Sequence, residues 1–212
     1  MPLLSVTKVA DADFPTRWGH FRILGFEGIP EPGDPTRRPI EGAVALVMGD
    51  LQAPAANGRP APPIVRIHSQ CLTGDVFHSL RCDCHDQLHL ALKRIAKEGA
   101  GILIYEQQEG RGIGLMAKLR AYELQDQGLD TVEANHELGF PTDLRAFELP
   151  AEILKQLNVP AVRLMTNNPE KVAALEDAGI QVTERLSATI PSEPTFERYL
   201  ETKRDKMGHF VG

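Results

Sequence analysis

The three cysteines of this 212-residue chain lie in one short stretch, and this clustering constrains the fold more than any other feature. Cys71 is followed after ten residues by Cys82 and, one residue later, by Cys84. Thiolates grouped in this way favour a soft or borderline cation, and zinc is the common choice. Their clustering disfavours the alternative of three unrelated buried thiols. The sequence therefore predicts a fold that gathers these thiols around one metal ion.

The number of ligands bears on what such a metal site would do. A structural zinc site usually closes with four protein ligands, whereas a catalytic site uses three and keeps one position for water. His68, His78 and His85 lie in or beside the cysteine stretch. Each of them could close a structural Cys3His site. The spacing alone leaves the open and the closed site as equal alternatives.

The charge balance and the absence of long apolar runs limit the class of protein. The chain has 29 Asp and Glu against 23 Lys and Arg, and a surface that wraps nucleic acid needs a basic patch instead. No apolar run approaches the roughly 20 residues that span a bilayer, and residues 1–14 lack the pattern of a signal peptide. An odd number of cysteines with metal-like spacing fits a reducing compartment. We therefore expect a cytoplasmic protein with no nucleic-acid or membrane partner, in which a polyanionic small substrate would require a local basic pocket.

Hydrophobic patterns predict a mixed β-sheet flanked by helices, an α+β or mixed α/β fold. With 42% hydrophobic residues the chain can bury one full core, so we expect a single domain over residues 1–212. Two loops rich in proline and glycine, near 29–42 and 49–63, are predicted surface insertions. The predicted strands are His20–Phe26, Ala43–Met48, Ile64–His68, Ile102–Tyr105, Ala161–Thr166 and Ile180–Glu184, and the predicted helices are Asp86–Ala100, Leu115–Gln127, Pro169–Ala178 and Phe196–Met207.

Two of the predicted helices have an apolar face and a glycine stop. The residues on these faces are Leu88, Leu92 and Ile95 in the first helix, which Gly99 ends, and Leu115, Leu119 and Tyr122 in the second, which Gly128 ends.

Two helix starts carry residues suited to an anion. The stretch Glu109–Gly114 holds three glycines and Arg111, and exposed backbone N–H groups at a helix start favour negative charge. As a pattern it is weak, because it is neither a Walker loop nor a dinucleotide fingerprint. Asn168 and Pro169 suit the N-cap and the first position of the other helix. Ordinary capping would explain both starts equally well.

Several longer motifs add specificity to these short patterns. The chain reads HSQCLTGDVFHSLRCDC from His68, then EGRGIGL, LQDQGLDTVEAN, LGFPTDLR, RLMTNNPEK and KRDKMGH. These motifs resemble GTP cyclohydrolase II of riboflavin biosynthesis, and FPTRWGHFRILGF fits the N-terminal region of that family. The resemblance covers nearly the whole chain and implies a GTP cyclohydrolase II-like fold.

The resemblance also implies a reaction and its cofactors. GTP would be the substrate, hydrolysed with opening of the guanine imidazole ring to formate, pyrophosphate and 2,5-diamino-6-(5-phosphoribosylamino)-pyrimidin-4-one. Cys71, Cys82 and Cys84 would hold one zinc ion per chain, and Mg²⁺ would accompany the triphosphate. The resemblance further implies a homodimer.

Site residues follow from matching this chain to the family motifs. Tyr122 matches a tyrosine near the base, although a core tyrosine is the simpler interpretation from sequence alone. Asp143 and Arg145 match a proton acceptor and a nucleophile, although a guanidinium stays protonated and is better suited to stabilise phosphoryl charge. The nucleotide-binding residues implied are Arg66, Ile67, His68, Ser69, Gln70, Gln87, Glu109, Gly110, Arg111, Thr131, Thr166 and Lys171.

Two positions depart from the family pattern. Gln70 stands where the family has glutamate, and His85 stands where small residues are usual. Glutamine keeps an acceptor oxygen but cannot accept a proton at neutral pH. A zinc-containing nucleotide sensor with weak or no turnover is therefore the alternative to an enzyme. A nucleobase deaminase is excluded, because the chain lacks the H-x-E and P-C-x-x-C motifs of that class.

Overall fold

A seven-stranded mixed β-sheet runs through the chain in a computed structural model that describes residues 3–32, 38–52 and 62–190. Its spatial order is β1-β2-β3-β5-β4-β6-β7. Strands β1, β2, β3 and β5 pair antiparallel, whereas β5, β4, β6 and β7 pair parallel. The strands are β1 (Leu3–Thr16), β2 (Gly19–Pro30), β3 (Glu41–Met48), β4 (Ile64–Ser69), β5 (Gly101–Glu106), β6 (Ala161–Met165) and β7 (Gln181–Leu186). The predicted mixed fold is confirmed.

Helices connect the parallel strands. They are α1 (Leu72–Asp75), α2 (Cys84–Glu98), α3 (Leu115–Asp126), α4 (Thr131–Glu137), α5 (Glu148–Gln156) and α6 (Pro169–Asp177), with a 3₁₀ turn at Glu109–Gly112 before α3. Gly99 ends α2 in the left-handed conformation, as its position predicts. Asn168 caps α6 by accepting a hydrogen bond from the Glu170 N–H, and Pro169 takes the first helical position.

Both faces of the sheet are buried at the central strands β4 and β5, whose side chains alternate between the two faces. Val65 and Ile104 point into the core cluster that α5 and α6 cover. Ile64 and Leu103 point into the opposite cluster, which Ile95 of α2 completes. The near-continuous apolar runs of β4 and β5 follow from this two-sided burial.

The strand order creates a crevice at the carboxyl ends of the parallel strands. From β4 the chain crosses to β5 on one side, and from β5 it later crosses to β6 on the other side of β4. Ligands of open α/β sheets bind at such a reversal, because the loops that follow neighbouring strands diverge there. The cysteine stretch follows β4 and the Glu109–Gly114 stretch follows β5, so the topology brings both to this edge.

Some sequence expectations are not met. Strand β1 was not predicted, because Leu3–Thr16 is exposed along nearly its whole length and shows no buried alternation. The expected packing face of α3 is wrong, since Leu119 is 40% exposed and Ala121 is the buried residue of that helix. The prediction of a helix at Phe196–Met207 lies outside the described residues, as do residues 33–37 and 53–61 of the two predicted loops. The single domain over residues 1–212 stays a prediction.

In the part of the chain that the structure describes, no helix combines the length and the apolar character needed to cross a membrane.

Candidate active site

The three thiols meet at the carboxyl edge of the sheet. Cys71 is the residue before α1, Cys82 lies in the following loop, and Cys84 is the first residue of α2. Their Sγ atoms all lie within 4.8 Å of one another, and those of Cys71 and Cys82 are 3.8 Å apart. Tetrahedral zinc with Zn–S bonds of ~2.3 Å places its sulfur ligands ~3.8 Å apart. The trio therefore fits one zinc ion, as the clustering in sequence predicts.

Gly74 allows this close approach. A Cβ atom at Gly74 would lie 2.9 Å from both the Cys82 Sγ and the Cys84 Cβ, and 3.1 Å from the Cys71 Sγ. Any side chain larger than hydrogen would push into the sulfur cluster. Glycine in LTGD is thus needed for space beside the thiols.

The charge on the thiols also fits a cation. The pKa of Cys71 is lowered, because the thiols of Cys82 and Cys84 hydrogen-bond to its sulfur and Lys118 lies beside it. The pKa of Cys82 is raised to about 11, chiefly by its hydrogen bond with Cys71. Protein groups alone thus favour one thiolate in the trio. A divalent cation would stabilise all three thiolates, which are the forms that bind metal.

The histidines near the trio have other partners. His68 is buried, and its Nε2 lies 3.0 Å from the Asp75 Oδ1. The rings of His78 and His85 are tilted by 34° with centroids 3.7 Å apart, and the ring of His89 lies 3.9 Å from that of His85. Within residues 3–32, 38–52 and 62–190, the only group of three or more possible metal ligands is the cysteine trio. The geometry favours the open site over the closed Cys3His alternative.

Asp75 orients the start of the cysteine loop. Its Oδ2 accepts hydrogen bonds from the Cys71 backbone N–H at 3.0 Å and from the Tyr105 hydroxyl at 2.8 Å. The same carboxylate meets His68, so the ends of β4 and β5 hold it from two sides. Sequence reasoning missed Asp75, although it lies inside the LTGD motif.

A cleft opens beside the thiols, with about 710 Å³ of space including the part that is open to solvent. The predicted site residues that line it are Ser69, Gln70, Cys71, Cys82, Cys84, Glu109, Gly110, Arg111, Tyr122, Thr131 and Arg145. Eleven positions that are scattered in sequence thus meet at one cleft.

Other predicted nucleotide-binding residues do not line this cleft. They are Arg66, Ile67, His68, Gln87, Thr166 and Lys171, and the predicted catalytic residue Asp143 is likewise absent from the lining. Arg66 donates to the Met165 carbonyl at 3.1 Å and to the Gln87 Oε1 at 2.6 Å. Lys171 donates to the Ile67 carbonyl at 2.9 Å. These cations hold the ends of β4 and β6 together at the topological reversal.

Burial shifts the pKa values of Lys171 and Glu106. The pKa of Lys171 is well below its ordinary value because of burial first and the neighbouring positive charges of Arg66 and Arg145 second. Burial also raises the pKa of Glu106, at the end of β5, to about 7. One Glu106 oxygen, Oε2, is buried without a hydrogen-bond partner in the part of the chain that the structure describes.

The turn at Glu109–Gly112 presents Arg111 to the cleft. Gly110 and Arg111 both have left-handed φ values, 61° and 60°, which turn the chain sharply before α3. The Arg111 Nη1 and Nη2 atoms are buried and have no hydrogen-bond partner among the described residues. Buried donors without partners are costly, and a phosphate oxygen is the acceptor that a guanidinium binds best. This observation points most directly to an anionic ligand.

Arg145 lies next to that turn and is held by Asp143. Its Nε donates to the Asp143 Oδ1 at 2.9 Å and its Nη2 to the Oδ2 at 2.5 Å. Burial alone would raise the pKa of Asp143, but the hydrogen bonds from Arg145 outweigh it and lower the pKa. The Leu144 N–H donates to the Arg111 carbonyl at 3.0 Å, which ties the two arginine loops together.

Tyr122 belongs to the cleft rather than to the core. Its hydroxyl lies 3.2 Å from the Thr73 Oγ1, and the Arg81 guanidinium covers its ring at 4.7 Å from the centroid. Burial raises the pKa of Tyr122, so the phenol stays protonated near neutral pH. The core interpretation, which sequence alone favours, is therefore wrong.

Several cleft residues were not predicted. They are Arg81, Gln108, Ile113, Lys118, Ala121, Gln125 and Asn135. Gln108 has a clear structural task, because its side chain bonds both the N–H and the carbonyl of Ala146 and so holds the Arg145 loop. A single glutamine or lysine carries no signal of such a role in sequence. Only their distance in sequence from a recognised family motif could have indicated these cleft residues.

Comparisons with known proteins identify a family and several relatives that this chain resembles in sequence. A family model described as GTP cyclohydrolase II matches residues 7–187. A GTP cyclohydrolase-2 of Enterobacter sp. (strain 638) is 50% identical over 208 residues, covering 98% of this chain and 99% of its own length. One from Citrobacter koseri is 50% identical over 209 residues (99% and 100%), and one from Hamiltonella defensa is 49% identical over 207 residues (98% and 98%). A solved structure described as RibBX, a two-domain 3,4-dihydroxy-2-butanone 4-phosphate synthase from A. baumannii, has a TM-score of 0.43 and 17% identity, with 87% of this chain and 40% of that chain covered.

Proposed function

Because the chain belongs to the GTP cyclohydrolase II family, we propose that it hydrolyses GTP with one zinc ion held by Cys71, Cys82 and Cys84. The products would be formate, pyrophosphate and 2,5-diamino-6-(5-phosphoribosylamino)-pyrimidin-4-one. The reaction would be the first step of riboflavin biosynthesis, carried out by a cytoplasmic homodimer with Mg²⁺ on the substrate triphosphate. The observation that carries the proposal is one cleft lined by the thiol trio and by the unpartnered donors of Arg111.

The guanine ring would react beside the three thiols that line the cleft. Zinc bound there would supply a water that ionises near neutral pH, suited to addition at C8 of the ring. Tyr122 lies beside the trio and its phenol stays protonated, so it can donate a hydrogen bond to the ring or pass a proton. Thr73 holds the hydroxyl in place at 3.2 Å.

The arginines that line the cleft would take the triphosphate. Arg111 brings two donors that no group among the described residues satisfies. Arg145 adds a second guanidinium in the same cleft. A bidentate guanidinium matches the geometry of phosphate oxygens, and Mg²⁺ would share the remaining charge while keeping its own waters. The net charge of −6 for the whole chain is thus compatible with a local cationic pocket.

Arg145 is assigned here to charge stabilisation. Its paired hydrogen bonds to the Asp143 carboxylate favour the charged guanidinium, a group that is protonated in proteins at all ordinary pH values. A protonated guanidinium cannot attack phosphorus but can stabilise charge on the transferring phosphoryl group. Asp143 would then orient Arg145 and be a proton acceptor only if a substrate displaces that contact.

Gln70 supports one alternative function. It lines the cleft beside Cys71, and its backbone N–H donates to the Glu106 carbonyl at 2.8 Å. If catalysis requires a carboxylate at this position, the protein would bind the nucleotide without turning it over. We favour an enzyme, because an amide can still hydrogen-bond the guanine edge or a water.

The test is to assay the two products separately. Purified protein is incubated with GTP and Mg²⁺, and formate and pyrophosphate are measured in the natural chain, in Cys82→Ser and in Arg111→Met. We expect Cys82→Ser to lose formate release more completely than pyrophosphate release, and Arg111→Met to weaken both through a higher KM. Zinc bound with no formate released by the natural chain would favour the nucleotide sensor.

A further inference from the structure

Lys118 of α3 makes a contact that the proposed function does not use. Its Nζ donates to the Cys71 Sγ at 3.1 Å, to the Thr73 Oγ1 at 2.9 Å and to the Glu109 Oε1 at 2.7 Å. The side chain is only 12% exposed, although lysine is seldom buried without a partner. An ammonium has three hydrogens to donate, and all three have acceptors here.

Glu109 fixes the direction of the ammonium group. Its other oxygen, Oε2, accepts a hydrogen bond from the Leu72 N–H at 2.6 Å, at the start of α1. The Glu109 side chain is 4% exposed, so it cannot turn to solvent without breaking this contact. The carboxylate thus spans α1 and the Lys118 side chain. With Glu109 on one side, the ammonium points its remaining hydrogens at Thr73 and at the sulfur.

The Lys118 ammonium hydrogen-bonds only one of the three thiols, that of Cys71. Among the hydrogen bonds of the described residues, no other cation reaches a cysteine sulfur. Charge-assisted hydrogen bonds are about twice as strong as neutral ones. A donor on the sulfur lowers the energy of its lone pairs and so reduces the charge that this sulfur donates to a metal. Lys118 therefore makes Cys71 a weaker electron donor than Cys82 and Cys84.

We propose that Lys118 is a positioning residue for the metal site: its hydrogen bond orients the Cys71 sulfur and tempers the electron donation of that sulfur to the bound ion. The inference rests on the proposed zinc site. Three thiolates and one divalent ion carry a net charge of −1, and strong thiolate donors weaken a metal as a Lewis acid. The buried ammonium offsets that charge at the one sulfur that it contacts. The site can then still polarise a water although all of its protein ligands are anionic.

The test uses cobalt(II) in place of zinc, because the sulfur-to-cobalt charge-transfer band reports electron donation by the thiolates. The Lys118→Met variant removes the ammonium at similar length, and the Lys118→Arg variant keeps a charged donor. Arg120→Met is the matched control, because it removes one positive charge from an exposed position of the same helix. Zinc retention against a competing chelator is measured on the same four proteins.

In Lys118→Met we expect the charge-transfer band to move to longer wavelength, because the Cys71 thiolate then donates more charge to the metal. The variant should still retain zinc, since a stronger thiolate donor does not weaken the metal–sulfur bond. Lys118→Arg and Arg120→Met should keep the band of the natural chain. If Lys118→Met does not fold, the double variant Lys118→Met/Glu109→Gln removes both charges of the pair and is measured against Glu109→Gln alone.

The possible failures are distinguishable. Absence of any thiolate-to-cobalt band in the natural chain would overturn the proposed zinc site itself. A normal band in the natural chain that stays unshifted in Lys118→Met would overturn only the role of Lys118. Lower thermal stability without a band shift would give Lys118 a purely structural role and would equally contradict the inference.

Discussion

Replacing Gly74 by alanine is expected to disrupt the metal site, although the same change in a helix is ordinarily favourable. Glycine to alanine inside a helix contributes roughly 0.5–1 kcal/mol of stability. Here the added Cβ would lie 2.9 Å from the Cys82 Sγ and the Cys84 Cβ. Ordinary contacts begin near 3.4 Å, so these atoms must move apart by about half an ångström. Overpacking of this kind costs typically ~1–3 kcal/mol.

The metal is more sensitive than the fold to this displacement. Metal–ligand distances tolerate only ~0.2 Å of departure from their normal values, which is less than the displacement that the new methyl group demands. We therefore expect Gly74→Ala to lower the free energy of unfolding of the metal-free protein by about 1–2 kcal/mol, the overpacking cost less the helix gain. Zinc affinity should fall at least tenfold.

The assays are denaturant unfolding of metal-free protein and zinc retention against a chelator. Gly42→Ala is the matched control, because its Cβ would meet only the tip of the Gln107 side chain, at 3.0 Å, far from the thiols in sequence. A Gly74→Ala protein that binds zinc as tightly as the natural chain would refute the inference that the cavity beside Gly74 is shaped by the sulfur cluster.

Two further predictions concern buried and cleft residues. The pKa of Glu106 is raised from 4.5 to about 7 by burial, so its stabilising protonated form is fully present below pH ~4.5 and is lost as the pH rises through ~7. The natural chain should therefore lose up to ~3 kcal/mol of unfolding free energy between pH 5 and pH 8 relative to Glu106→Gln, since one pKa unit corresponds to about 1.4 kcal/mol; equal pH profiles would contradict this. Gln70→Glu should change kcat/KM for GTP by less than about tenfold, because a lost general base costs ~10²–10⁴-fold and Gln70 is assigned to hydrogen bonding. A hundredfold gain in that variant would instead make the natural chain an impaired cyclohydrolase.

The metal trio could be predicted from sequence because its evidence is local. Cys71, Cys82 and Cys84 lie within one stretch, and the structure places their sulfurs together. The stop of α2 at Gly99 and the start of α6 at Asn168 were readable for the same reason, since a cap is decided by one or two neighbouring residues.

Features that depend on distant contacts could not be predicted. The edge strand β1 shows no buried alternation, because its partner β2 supplies the pairing and the core lies elsewhere. Lys118 lies on α3, where the apolar pattern of the sequence predicts the wrong packing face. The role that we propose for this lysine depends on its contact with Cys71, which lies 47 positions away in the sequence. The contacts of Arg66 and Lys171 with backbone carbonyls at the reversal of the sheet depend on the strand order, which the sequence does not show. That these two cations bind the nucleotide stays a prediction.

Zinc-dependent release of formate is the most direct test of the proposed reaction. Metal-free protein is mixed with GTP and Mg²⁺, and formate is measured as zinc is added in known equivalents per chain. Formate release should be absent without zinc and should rise to a plateau at one zinc per chain, with Cys82→Ser inactive throughout. Full formate release by the metal-free protein, or a Cys82→Ser variant as active as the natural chain, would contradict a role for the thiol-bound ion in ring opening.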